Sequence, residues 1–383
     1  MKPLNGIRIV SIEQFGAAPY GSMFLADLGA EVIKIENVAA GGDPARHLGP
    51  HFLGENDSQY FQTWNSNKRS VGLDLKSEQG RADLERLVAG ADAVMNNLRG
   101  DKAAPAGLDY ASLSRVKPSI VCLHISAYGR DNTRASWPGY DYLMQAESGL
   151  MDLTGEPDRG PARMGAPSII DHATGLTAMV GLLSGILQAR NTGVGCDVDT
   201  CLFDVALHQL GYSAIWYLNE GDKVTRQARS SHFAVTPVQT FPTRDGWIFV
   251  MCMTDRFWRA LVDHLDNPEI GCDPRFVEAA SRTQHREALT ELLDADFRGH
   301  DTEYWMRELG GVLPIAPVLD IGQALDNPFL QENGMIGSID HPARPGLRLL
   351  SNPVKINGQR LTQSVCGAPG ADTQAVLQNH HRL

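Results

Sequence analysis

Residues 7–36 constrain the fold most, because they switch from a strand pattern to a helix pattern and back within one short span. Ile7-Arg8-Ile9-Val10-Ser11-Ile12 is a short apolar strand pattern. Gly16-Ala17-Ala18-Pro19 breaks it. Tyr20 to Leu28 reads as a helix that stops at Gly29, a residue suited to the position just past a helix end. Glu31 to Glu36 is a second strand. Strand, turn, helix, strand is a βαβ unit, the building block of α/β folds. The first turn lacks Gly-x-Gly-x-x-Gly, so no dinucleotide fingerprint is present. Its small residues still let a ligand come close to the backbone.

The alternation continues. Val71–Lys76, Ala91–Met95 and Ser119–Ser126 read as strands, and Ser77–Ala89 as an amphipathic helix. The run Ser119–Ser126 is apolar throughout, as a strand covered on both faces must be. His124 inside it reads as a core histidine. A chain of 383 residues fits two domains. The texture changes after residue 220. Gly221–Ser231 is a polar, basic linker, and Thr240–Met253 is a hairpin around Arg244-Asp245-Gly246. Helices are expected near Thr254–Leu265, Thr283–Phe297 and Thr302–Leu309, which makes residues 221–325 a small α+β domain.

The net charge of −11 argues against a nucleic-acid footprint. It leaves room for a small basic pocket that holds a phosphorylated ligand. Six cysteines stand apart, with no metal-ligand or Cys-x-x-Cys spacing, and read as reduced thiols. No metal is expected. Met-Lys-Pro-Leu-Asn-Gly is not a signal or transit peptide, and no apolar run is expected to span a bilayer. The expectation is a soluble cytoplasmic protein without membrane partners.

Chemistry is concentrated between Pro138 and Gly175. Asp141 follows a Pro-Gly turn and opens an amphipathic segment. Asp171 precedes the long, mostly uncharged segment Ala173–Ala189. Each acid reads in two ways: as a helix cap, or as a carboxylate held ionised for chemistry. Upstream, Lys68, Arg69 and Lys76 form the densest basic patch in this half, with Arg46 just beyond a Gly-Gly-Asp-Pro loop.

These segments resemble the class III CoA-transferases, of the formyl-CoA and carnitine-CoA transferase (CaiB/BaiF-like) type, along almost the whole chain. Tyr140-Asp141, Gln145-Ala146, Ser148-Gly149-Leu150-Met151 matches the segment upstream of the family's nucleophile, and Asp171 with Thr174 and Gly175 matches the nucleophile's setting. The approach Gly165–Ile170 is one residue longer than usual. The resemblance implies acyl-CoA as substrate, with Gln14, Phe15 and Ala17 of the first turn touching CoA. Asn97, Leu98 and Arg99 match a second turn that seats it. A family arginine falls near Pro105 here, and Lys102 is the substitute expected for it. Arg46, Lys68, Arg69 and Lys76 supply cations for phosphate.

The resemblance further implies a doubly wound, Rossmann-like large domain from residues 1–220 and 326–383, a small α+β domain from 221–325, and an interlocked homodimer. Asp171 is the expected nucleophile and Asp141 a second active-site candidate. The expected reaction moves CoA from an acyl-CoA donor to a carboxylic acid through an aspartyl-CoA thioester. A short dicarboxylate is the expected acceptor, with Arg163, Arg229 and His232 as partners for its second carboxylate. Two alternatives stand beside this. The α-methylacyl-CoA racemases resemble the same family but carry Gly-His-Asp where this chain has Gly139-Tyr140-Asp141. A neutral tyrosine, with a reference pKa of about 10, is a poor base. The other alternative is an acyl-CoA-binding protein without turnover.

Overall fold

The structure is a computed structural model that describes residues 2–379. The opening βαβ unit comprises β1 (Arg8–Ile12), α1 (Ala17–Asp27) and β2 (Glu31–Glu36). Then follow α2 (Gln59–Asn65), β3 (Arg69–Gly72), α3 (Glu78–Ala89), β4 (Ala93–Asn96), α4 (Tyr110–Leu113) and β5 (Val121–Ser126). After these come α5 (Asp141–Glu147), α6 (Ile169–Thr192), β6 (Cys196–Cys201) and α7 (Leu202–His208). The strands form one parallel sheet in the order β3-β2-β1-β4-β5-β6. Val10 pairs with Ile33 on one side and Val94 on the other. Ile9, Val32, Ile33, Val94 and Leu123 are fully buried, which explains the uninterrupted apolar runs. The strand order reverses between β1 and β4. In such sheets the chains leaving the two strands diverge there and open a crevice at their carboxyl ends.

Two local expectations are corrected. The third strand lies at Arg69–Gly72 rather than Val71–Lys76, because Asp74 and Ser77 form a turn and Ser77 caps α3 by accepting the Gly80 N–H. Helix α6 starts at Ile169, so Asp171 sits within its first turn and not ahead of it. The same helix corrects the expectation about apolar runs. It is long and apolar enough to cross a membrane by length and composition, although its small residues (Gly, Ala, Thr) dilute the signal along the chain. One face of α6 is buried, through Ile170, Ala178, Met179, Leu182 and Ile186.

The chain divides into two compact units. The second takes Gly149–Met164 and Gly211–Asn327, and the first takes the rest. The second contains α8 (Tyr212–Glu220), β7 (Val238–Pro242), β8 (Trp247–Met251), α9 (Asp255–Val262), α10 (Ala279–Gln284), α11 (Arg286–Gly299), α12 (Thr302–Leu309), β9 (Ile315–Pro317) and α13 (Ile321–Leu325). Its three strands are antiparallel, in the order β7-β8-β9. Phe241, Trp258, Phe297 and Trp305 fill its core. The helix expected at Thr283–Phe297 is two helices, broken at His285. Arg282 sets α10 apart: its buried guanidinium bonds Thr236 O, Phe276 O and the Asp255 carboxylate.

The chain then re-enters the first unit with α14 (Phe329–Asn333), β10 (Ile336–His341), β11 (Arg344–Leu350), β12 (Lys355–Ile356), β13 (Gln359–Arg360) and α15 (Thr373–Asn379). The β10–β11 hairpin was not anticipated. Side chains anchor this return to the sheet edge. Ser70 N–H donates to Asp372, Gly72 N–H to Thr373 Oγ1, and Gln62 Nε2 to Cys366 O.

Candidate active site

A cleft of about 420 Å³ opens where the sheet order reverses. Its floor is made by the residues that follow three strands: Gln14–Ala17 after β1, Asn97–Arg99 after β4, and Ala127 after β5. The two turns are tied by a reciprocal amide pair. Gln14 N–H donates to Asn97 Oδ1 at 3.0 Å, and Asn97 Nδ2 donates to Gln14 O at 2.7 Å. Phe15 is left-handed, at φ 58°. For a residue with a side chain this costs roughly 1–3 kcal/mol, so the surrounding structure must impose it. Its ring meets Tyr140 edge-on at 6.3 Å.

Asp171 also lines the cleft. A Cβ on Gly16 would overlap its carboxylate, so only glycine leaves that space. The helices beneath are equally close: a Cβ on Gly175 would lie 2.5 Å from Ala17 O, and one on Gly21 2.6 Å from Gly175 O. These glycines bring α1 and α6 together and set Asp171 against the first turn.

The Asp141 carboxylate is 4% exposed and caps the start of α6 from outside that helix. It accepts the N–H groups of Ile170 at 2.5 Å and Asp171 at 3.0 Å, and Gln145 Nε2 donates to it at 2.5 Å. Burial first, and the neighbouring Asp141 charge second, push the Asp171 carboxyl from its ordinary 3.8 up to about 7. A buried carboxylate that ionises within the neutral range has the properties of a covalent nucleophile.

This sheet and cleft lie within residues 4–373, which match the model of CoA-transferase family III. The chain belongs to that family. It is 31% identical to acetyl-CoA:oxalate CoA-transferase of Acetobacter aceti, over 97% of this chain and 94% of that protein. It is 32% identical to succinyl-CoA:glutarate CoA-transferase of Mus musculus, over 89% and 78%. It is 30% identical to succinyl-CoA:mesaconate CoA-transferase of Haloarcula hispanica, over 100% and 95%. Among solved structures, a CAIB/BAIF family protein from Brucella suis superposes with a TM-score of 0.85 at 31% identity, covering 99% of both chains. The protein is therefore an enzyme of the CoA-transferase class, and acyl-CoA is its substrate.

In this family III enzyme, Gln14, Phe15, Ala17, Asn97, Leu98, Arg99 and Lys102 all line the cleft together with Asp171. Four expected phosphate-binding cations do not. Arg46 is fully buried, forks onto Glu36 at 2.8 and 2.7 Å and lies 3.7 Å from the Phe61 ring centre. Lys68 directs its ammonium to Glu13, Pro19 O and Asn65 at 2.7–2.9 Å. Arg69 bridges Glu31 and Asp372, and Lys76 is exposed outside the cleft lining. The cations at the cleft are Arg99 and Lys102, both about half exposed, with Lys102 paired to Asp101 at 2.6 Å.

The partners expected for an acceptor carboxylate lie in the second unit and have other work. Arg229 is held bidentate by Asp294 at 2.7 and 2.6 Å. His232 Nδ1 accepts the Ala234 N–H, and its Nε2 faces the Tyr212 hydroxyl. Arg163 Nη1 donates to Met164 O.

Tyr60 was not anticipated. Burial, then the charge of Asp171, push its hydroxyl up to about 12. It packs on Trp64, one helical turn away, which in turn meets His172 edge-on. The aromatic pair at i and i+4 in α2 was the one available signal, and core packing explains such pairs equally well.

Proposed function

We propose that the enzyme transfers CoA from an acyl-CoA thioester to a short dicarboxylic acid, with Asp171 as the nucleophile. The observation that carries this reading is the Asp171 carboxylate itself, in the cleft wall against the Gly16 backbone, at the reversal point of the sheet. The oxalate, glutarate and mesaconate named for the relatives support the acceptor class.

The ionised carboxylate attacks the thioester carbonyl. The C–S bond breaks, CoA leaves as thiolate and a mixed anhydride forms. The thiolate then attacks the aspartyl carbonyl and releases the donor acid, leaving an aspartyl-CoA thioester. The acceptor carboxylate attacks that carbonyl, CoA leaves again, and the thiolate takes the acceptor acyl group while the Asp171 carboxylate is regenerated. Splitting one exchange into four acyl transfers replaces a hard step with easier ones. Each tetrahedral intermediate carries an oxyanion, and in this reading the Gln14 side chain, which lines the cleft with Asp171, donates to it. Asp141 orients Asp171 and raises its proton affinity. Arg99 and Lys102 attract the CoA phosphates. Tyr140, where the racemases have histidine, favours transfer over proton exchange.

The working form in this reading is an interlocked homodimer in the cytoplasm. The outward row Leu176, Val180 and Leu187 of α6, up to 70% exposed in the single chain, supports a second copy covering it. The free thiols fit a reducing compartment.

The test mixes the protein with succinyl-CoA and a panel of carboxylic acids, with Asp171→Ala alongside, and follows new CoA esters by mass. New esters from the wild type and none from the variant support the reading and name the acceptor. Solvent deuterium entering a 2-methylacyl-CoA without any new ester would instead establish the racemase chemistry.

A further inference from the structure

We propose that two buried ion pairs, Lys34–Asp43 and Lys68–Glu13, act as positioning residues for CoA transfer by clamping the turn between β1 and α1 in the shape that faces Asp171. The inference rests on the reading of the Asp171 cleft as the transfer site. All four side chains are at most 5% exposed, and they form a charge-neutral cluster directly behind the turn.

What distinguishes the cluster from an ordinary buried ion network is where its spare hydrogen-bonding capacity goes. Lys34 Nζ bonds Asp43 Oδ2 at 2.8 Å and also the backbone carbonyl of Glu13 at 2.9 Å. Asp43 Oδ1 accepts the Phe15 N–H at 3.2 Å, along with its own local partner, the Ala45 N–H. Lys68 Nζ bonds Glu13 Oε1 at 2.7 Å and the Pro19 carbonyl at 2.8 Å, and Ser22 Oγ completes the Glu13 carboxylate at 2.8–2.9 Å. The cluster thus grips Glu13 O, Phe15 N and Pro19 O, three backbone points that bracket Gly16. The Asn97 amide holds Gln14 from the cleft side.

Phe15 is held in the left-handed region, so the turn is not a shape the local sequence adopts unaided. The clamp supplies the constraint. Buried ion pairs are weak contributors to stability and are often replaceable by apolar side chains of similar volume. Removal of this cluster therefore separates folding from positioning.

The experiment compares wild type, Asp171→Ala, Asp43→Asn and the double variant Lys34→Met with Asp43→Leu. Succinyl-CoA is the donor, and the acceptor is the acid that the wild type uses best. The double variant keeps the fold, seen as an unchanged near-UV spectrum. Its kcat falls about 10–100-fold, the cost of a displacement on the order of 1 Å at a reacting centre. KM for succinyl-CoA stays within about threefold, since the cations at the cleft are untouched. Asp43→Asn keeps an oxygen for the Phe15 N–H but breaks the pair with Lys34, so its kcat falls between that of the double variant and that of wild type. A folded double variant with wild-type kcat overturns the proposal, as does an Asp43→Asn variant with wild-type kcat. Should the double variant fail to fold, Asp43→Ser decides. It leaves Lys34 with Glu13 and draws the side-chain oxygen back by one bond from the Phe15 N–H, and a Ser variant with wild-type kcat refutes the clamp. Failure of the underlying reading looks different: the wild type transfers no CoA, or Asp171→Ala stays active.

Discussion

At the scale of single residues, Asp171 ties catalysis to stability with opposite signs. Its folded pKa of about 7 lies above the ordinary 3.8, so folding favours the protonated form. The stability this contributes is fully present below about pH 4 and is lost as pH rises through 7. Reactivity requires the carboxylate, so it rises through the same window. We expect kcat/KM for the acyl-CoA to climb with an acid limb near pH 7, and Asp171→Asn to lose at least about 10⁴-fold in kcat, as removal of a covalent nucleophile does. Relative to wild type, the Asn variant should melt higher at pH 8 than at pH 5, measured by calorimetry at both values. An equal offset at both would mean that the burial argument for Asp171 is wrong. Asp141→Asn keeps an oxygen for the two N–H groups of α6 but removes the like charge. Its acid limb should move to lower pH, and a limb that stays put would deny Asp141 an electrostatic role.

At the scale of elements, α1 and α6 approach through glycines rather than through interlocking side chains. Gly175→Ala puts a methyl group against Ala17 O and forces the helices apart. A cost of about 1–3 kcal/mol is expected by urea unfolding, the usual range for overpacking. Gly16→Ala acts differently, because the atom it meets is the Asp171 carboxylate, which can rotate away. Stability should change by less than about 1 kcal/mol while kcat drops on the order of 10²-fold. If both substitutions only destabilise, Gly16 is a packing residue and nothing more. The cap on α6 shows how an element border can be set from outside. Asp141 lies 30 residues upstream of Asp171, yet its carboxylate satisfies the α6 N–H groups that a local cap would otherwise take.

At the scale of the whole molecule, the exposed apolar row on α6 is the feature a single chain leaves unexplained. Val180 is 70% exposed, an unusual place for a β-branched apolar side chain on a long helix. In the proposed interlocked dimer, Val180→Arg buries an unpaired charge and should lower the melting temperature of the dimer, read by calorimetry alongside sedimentation velocity. A wild type that already sediments as a monomer would remove the dimer from the proposed working form.

Much of this was legible in the chain itself. Alternating strand and helix periods gave the α/β class, since period and burial are local consequences of side-chain order. The residues between Pro138 and Gly175 carried the family resemblance, and the turns at Gln14–Ala17 and Asn97–Arg99 were placed at the ligand side. What the chain could not disclose was pairing at a distance. Arg46 and Lys68 read as free cations because their partners, Glu36 and Glu13, lie in other segments, and only folding brought each pair out of water. Tyr60 offered only an aromatic pair with Trp64, which core packing explains equally well, because the charge that acts on it comes from a carboxylate over a hundred residues away. The sequence by itself determined the elements and the chemistry on offer. The tertiary structure decided which charges were consumed in the interior and which were left at the cleft, because desolvation and partner distance exist only once the chain has folded.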